Sequence, residues 1–151
     1  MLVRTGDRLT DQLGRYSFAV PPGWSLDPRS KAGDVKIAKD GTHPYCWFIR
    51  MDSSPLSARE QFTLFKTAQR GAYKRYKALK ERWGTIDGEA GGFLESRRMN
   101  REGKMAYAWN LVTVRESTPY VIDCEALEEE VVQVTPHVRQ ILDSFRWIRK
   151  P

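Results

Sequence analysis

The sequence predicts an α+β domain in which antiparallel strands lie on either side of a long central helix in the chain and a C-terminal helix closes it. Three observations carry this: one long stretch of helical periodicity in mid-chain, strand-like segments on both sides of it, and a second helically spaced run at the end. A chain of 151 residues with 40% hydrophobic content can bury a core of this size without a metal or a disulfide.

The first dozen residues are polar and unpatterned and read as an arm or edge segment, so the chain divides into an N-terminal arm over residues 1–14 and a single domain over residues 15–149. Tyr16, Phe18 and Val20 alternate with Ser17 and Ala19, which makes a strand with one aromatic face inward. Pro21, Pro22 and Gly23 end it, and Trp24 is placed to fold back onto the core. Val35 and Ile37 then alternate with Lys36 and Ala38, Asp40-Gly41 signals a turn, and Tyr45 to Met51 forms the second arm of a hairpin. This arm is apolar on both faces, as expected of a strand covered from both sides.

The helix is predicted over Ser57 to Trp83. Ser57 and Glu60 form a capping box, and Pro55 blocks an earlier start. Phe62, Phe65, Gln69, Ala72, Tyr76, Leu79 and Trp83 recur at steps of three and four, and Gly84 supplies a stop. Such a helix is about 40 Å long. An antiparallel meander follows: Thr85 and Ile86 lead into the Asp87-Gly88 turn, and strands run over Phe93 to Met99, Met105 to Arg115 and Tyr120 to Ala126. Val131, Val134, Val138, Ile141 or Leu142, and Phe145 mark the closing helical region. Pro136 there implies either a new helix capped by Thr135 or one helix kinked at the proline.

Four strings, in this order and spacing, resemble the PsbP-like family, named for the extrinsic subunit of photosystem II: YSFAVPPGW, the long helix after Pro55, IDGEAGGFLESR and VRQILDSFRWI. Together they cover most of Tyr16 to Ile148. The resemblance implies a sheet between helices, shared by photosystem subunits, a Ran-binding import factor, bacterial lipoproteins and secretion-system chaperones. For this chain it implies an antiparallel sheet sandwiched between the long central helix and the C-terminal helix, and a role in binding or assembly, and it brings no catalytic motif to carry over.

The residues themselves point away from chemistry. His43 and His137 have no companions at ligand spacing and read as surface imidazoles, the serines lack a nucleophile elbow, and no phosphate-loop glycine pattern appears. Gly91-Gly92 reads as the start of a strand or a bulge, and Glu128 to Glu130 as a solvated helix start. No catalytic residue, metal ligand or cofactor is therefore expected. Cys46 and Cys124 both lie in strands that adjacency could bring together, and the favoured reading is two buried, reduced thiols. With no apolar run of transmembrane length and no secretory-signal core at the start, the chain as written reads as soluble. A chain stripped of a leader would read the same, which leaves an extracytoplasmic compartment open.

A formal charge of +6 tilts the expected partner towards an acidic protein. Lys66, Arg70, Lys74 and Lys77 share one quadrant of the expected helix, and Arg97, Arg98, Arg101 and Lys104 cluster around a hairpin turn. Lys66, Arg70, Lys74, Lys77, Arg97 and Arg98 are accordingly the candidate partner-binding residues of a non-catalytic module. The alternative is a small-ligand or polyanion-binding domain, whose pocket would be lined by Trp24, Trp47, Tyr107 or Trp109. Nucleic-acid readout is weaker than protein docking, because the aromatic residues alternate into the core and no RNA- or DNA-binding signature appears.

Overall fold

The computed structural model describes residues 3–5 and 7–149, with side chains from residue 7 onward. Its elements are β1 (Val3–Thr5), β2 (Arg8–Thr10), β3 (Tyr16–Ala19), β4 (Ser25–Leu26), β5 (Asp34–Ala38), β6 (Tyr45–Arg50), α1 (Ala58–Ala72), β7 (Lys77–Ile86), β8 (Glu89–Met99), β9 (Met105–Arg115), β10 (Thr118–Leu127), a 3-10 turn (Glu128–Glu130), α2 (Val131–Ser144) and β11 (Arg146–Trp147). A seven-stranded antiparallel sheet runs β4-β5-β6-β10-β9-β8-β7. α1 packs on one face against β8 and β9, while α2 and a four-stranded sheet, β1-β2-β3-β11, cover the other. The predicted α+β class and antiparallel sheet are thus present.

Strand alternation divides the main sheet between two cores. Towards α2 lie Ile37, Cys46, Phe48, Trp109, Leu111, Ile122 and Cys124, packed with Tyr16, Phe18, Val138, Ile141, Phe145 and Trp147. Phe18 stacks on Phe48 with ring centroids 4.1 Å apart. Towards α1 lie Leu94, Val112 and Val121, which receive Phe62. β10, in the middle of the order, is buried along nearly its whole length, as its apolar residues on both faces require.

Three expectations are corrected and two open alternatives are narrowed. The central helix ends at Ala72, not Trp83: Tyr73 takes extended backbone, Arg75 lies at φ 54°, and Lys77 to Ile86 form a strand. The reason is the next turn. Asp87 and Gly88 both lie at positive φ, the geometry of a tight β-hairpin turn, so the residues before them pair with β8 rather than continue the helix. The helix is therefore about 22 Å long. Of the arm and the edge segment that the first dozen residues leave open, residues 8–10 take the second form: they pair with β3 and bury Leu9. α2 begins at Val131 and carries Pro136 in its second turn, so of the two expected arrangements it is the single helix running through the proline, not a new helix capped by Thr135; the backbone acceptor the proline leaves unpaired is on Val132, which is solvent-exposed. Gly92 lies within β8, where a Cβ would overlap the Phe62 ring, so its role is close helix-to-sheet approach. Finally, Cys46 and Cys124 stand directly opposite each other in the β6-β10 register and form a disulfide rather than two free thiols.

Candidate functional site

The expected basic residues separate into three settings. α1 places Arg59, Lys66 and Arg70 along the side that faces β7, because positions four apart on a helix share a face. β7 contributes Glu81 and Trp83 from the opposite wall. The result is a groove, with an opening of about 350 Å³ around Arg59, Phe62, Lys66 and Trp83 and one of about 180 Å³ around Lys66, Arg70, Tyr76 and Glu81. The Arg59 guanidinium lies 4.2 Å from the Trp83 ring centre, and Lys66 pairs with Glu81. Lys74 is exposed in the turn that joins α1 to β7.

Lys77 is not on the helix. It pairs across strands with Arg97, and the register puts both on the sheet face opposite α1, together with Lys80 and Arg82. Arg97 is tied to Glu128 at 2.6 Å. On that face a second cleft of about 510 Å³ is bordered by Arg82, Arg139 and Arg146, with Asp87 and Asp143 as its acidic residues. The two basic regions therefore meet along the β7 edge but occupy opposite faces of it.

Arg98 belongs to neither and is withdrawn from the surface: its side chain is 0% exposed. Its guanidinium donates to both oxygens of Asp123 at 3.1 Å, to Glu125 Oε1 at 2.9 Å, to Gln69 Oε1 at 2.8 Å and to the Tyr45 hydroxyl at 3.3 Å. The Tyr73 ring covers it at 4.1 Å. Burial works to lower the Arg98 pKa, but Asp123 and the surrounding phenols and carboxylate outweigh it, and the net shift is upward. Burial, reinforced by Asp123, raises that of Tyr45. Asn110 donates to Asp123 at 2.7 Å, and His43 bonds Glu125 at 2.6 Å. The cluster fastens the end of α1, through Gln69 and Tyr73, to strands β6, β8 and β10.

Both histidines depart from the surface reading, because His137 Nδ1 accepts from the buried Trp24 indole at 2.9 Å. The four aromatic residues expected around a ligand pocket are also committed elsewhere. Trp47 donates to Asp34, Trp109 packs on Tyr107, and the clefts found among the described residues are lined by other side chains. A cavity inside the aromatic core, lined by Tyr16, Phe48, Tyr120, Phe145 and Trp147, measures about 10 Å³, room for at most a water. Among the described residues no group of His, Cys, Asp and Glu could hold a metal ion, and no helix is long and apolar enough to cross a membrane.

The sequence reading missed the acidic partners of Arg98 and the role of β7. The first had a signal, since Asp123 and Glu125 alternate within an otherwise apolar strand and so had to face something buried.

No protein-family model matches the chain, and no curated protein matches it in sequence. Its fold does match solved structures. The solution structure of cyanobacterial PsbP (CyanoP) from Synechocystis sp. PCC 6803 superposes with a TM-score of 0.65 at 15% identity, covering 93% of this chain and 91% of that one. LpqN of Mycobacterium tuberculosis, described as involved in cell envelope biogenesis, gives a TM-score of 0.65 at 13% identity over 99% of this chain and 90% of that one. PA94 of Pseudomonas aeruginosa, a protein of unknown function described as a putative regulator, gives 0.56 at 13% identity over 93% and 91%. The fold is PsbP-like, as the resemblance implied.

Proposed function

We propose that this PsbP-like domain is a non-catalytic binding module that docks an acidic segment of a protein partner on the basic surface formed by α1 and β7. The observation that carries the reading is the groove between them. Arg59, Lys66 and Arg70 line it against Glu81, and Lys74, Lys77, Lys80 and Arg82 continue the positive charge along its rim and outer face. Such a surface steers and holds an anionic partner through many weak contacts, each sensitive to salt. Trp83 and Phe62 supply an apolar floor at one end, which favours a polypeptide over an inorganic polyanion.

We infer an oxidising, extracytoplasmic compartment for the domain, a reading supported by the Cys46–Cys124 disulfide, because such bonds persist there and are rare in reducing cytosol. The description of LpqN as involved in cell envelope biogenesis accords with that placement.

The test is calorimetric titration of an oligo-glutamate peptide into the wild type and into a variant carrying Arg70→Glu, Lys74→Glu and Lys80→Glu. Wild-type binding should weaken as salt is raised, and the triple variant should lose about ten-fold or more in affinity. A control carrying Lys31→Glu and Lys39→Glu, exposed positions at the other end of the chain's strand order, should bind as the wild type does. Equal binding by all three proteins would remove the basis of the proposal.

A further inference from the structure

β7 is the outermost strand of the main sheet and ten residues long, with most of its side chains exposed. Alternate residues of an edge strand direct their N–H and C=O groups away from the sheet, and a long edge of this kind is a template for another strand. The opposite edge is the two-residue β4, which offers almost no template. A bulge at Leu79 breaks the regular pairing of β7 with β8, leaving Lys80–Thr85 as an uninterrupted run in register with Ala90–Glu95.

We infer that Lys80–Thr85 of β7 receives an extended, consecutively acidic peptide as an eighth strand of the sheet. The inference rests on the proposed docking of an acidic partner and specifies how it is held. A strand added beside β7 sends successive side chains to opposite faces. On the α1 face they meet Arg59, Lys66 and Arg70, with Glu81 already paired to Lys66. On the other face they meet Lys80 and Arg82, with Arg139 beyond and Asp143 as its acidic neighbour. Because both faces are basic, a peptide with acids at every second position matches one face only, whereas a run of consecutive acids matches both. Backbone hydrogen bonds supply sequence-independent affinity and the two basic rows supply selectivity, the division of labour found in strand addition. A second copy of this chain does not fit, because pairing two β7 edges would set Lys77, Lys80 and Arg82 against the same cations.

The experiment compares an oligo-glutamate peptide of about eight residues, long enough to span the run at about 3.3 Å per residue, with the same peptide N-methylated throughout. Side chains and charge are unchanged, while every N–H donor is lost and the methyl groups keep the peptide backbone from closing on the β7 edge. Amide hydrogen exchange of the wild-type protein is followed in both mixtures. The expected result is that the unmodified peptide protects alternate amides of Lys80–Thr85 by about ten-fold or more, and that N-methylation abolishes binding. Equal binding of both peptides with no protection of β7 would overturn strand addition while leaving the basic docking surface in place. Binding of neither would overturn both readings, and concentration-dependent protection of β7 without peptide would show self-pairing and contradict the assignment of an acidic occupant.

Discussion

Arg98 shows how a single side chain can be decisive without touching a partner. Its guanidinium is sealed between Asp123 and Glu125, so removing it leaves two buried carboxylates with Asn110, Tyr45 and His43 as their remaining polar neighbours. Arg98→Met should cost about 3–5 kcal/mol in urea unfolding, because breaking a buried ion pair from one side strands the opposite charge. Neutralising the acids as well, with Asp123→Asn and Glu125→Gln, should recover most of that loss. Asp27 offers a test at acid pH. Its carboxylate accepts from the Arg29 side chain and backbone N–H, which hold its pKa down at about 2 against an ordinary 3.8. A depressed carboxylate stabilises the fold fully above its unfolded pKa, and the contribution is lost as pH falls from 3.8 towards 2. Carboxyl titration by NMR should show the Asp27 midpoint rising in Arg29→Ala.

At the scale of the elements, the contact between α1 and the sheet depends on what Gly92 lacks. Phe62 occupies the space where a Cβ would stand, and its ring is buried against Leu94, Val112 and Val121. Gly92→Ala should displace α1 and destabilise the fold by about 1–3 kcal/mol, visible as a lowered thermal midpoint with changed Trp83 fluorescence, since that ring lies 6.3 Å from Phe62. Much of this layer was legible in the sequence. The capping box at Ser57 and Glu60 is formed as read, with mutual bonds of 3.2 and 3.1 Å, and the alternation of Tyr16, Phe18 and Val20 does turn those residues inward. What misled was Tyr76, Leu79 and Trp83, whose spacing suits a helix as well as it suits an irregular edge strand. The deciding information was non-local: pairing with β8 across the Asp87-Gly88 turn outweighs local helix propensity. The same error put Lys77 on a helix. Arg98 was misjudged for a related reason, because a run of two arginines near a turn looks solvated until strand alternation sends one inward and one outward.

At the scale of the whole molecule, the disulfide joins cysteines 78 residues apart in sequence and ties β6, before the helix, to β10, after it. Closing so long a loop restricts the unfolded chain by roughly 4 kcal/mol on entropic grounds. Reduction, or Cys46→Ala with Cys124→Ala, should therefore lower the unfolding free energy by about 2–5 kcal/mol without changing the fold. This pairing could be suspected from the sequence but not chosen, since two cysteines in strands become partners only when the strands are neighbours in register. The basic edge was partly legible too: Lys66, Arg70 and Lys74 were singled out, whereas its character as an open strand flanked by cations on both faces emerged only with the order of the sheet.

The most direct test of the account is amide chemical-shift mapping of the wild-type protein during titration with oligo-glutamate at low salt. The shifted amides should concentrate in α1 and β7, from Arg59 to Arg70 and from Lys77 to Thr85, and should return as salt is raised. Shifts centred instead on the separate arginine cleft of Arg15, Arg115 and Arg149, or spread evenly over the surface, would contradict it.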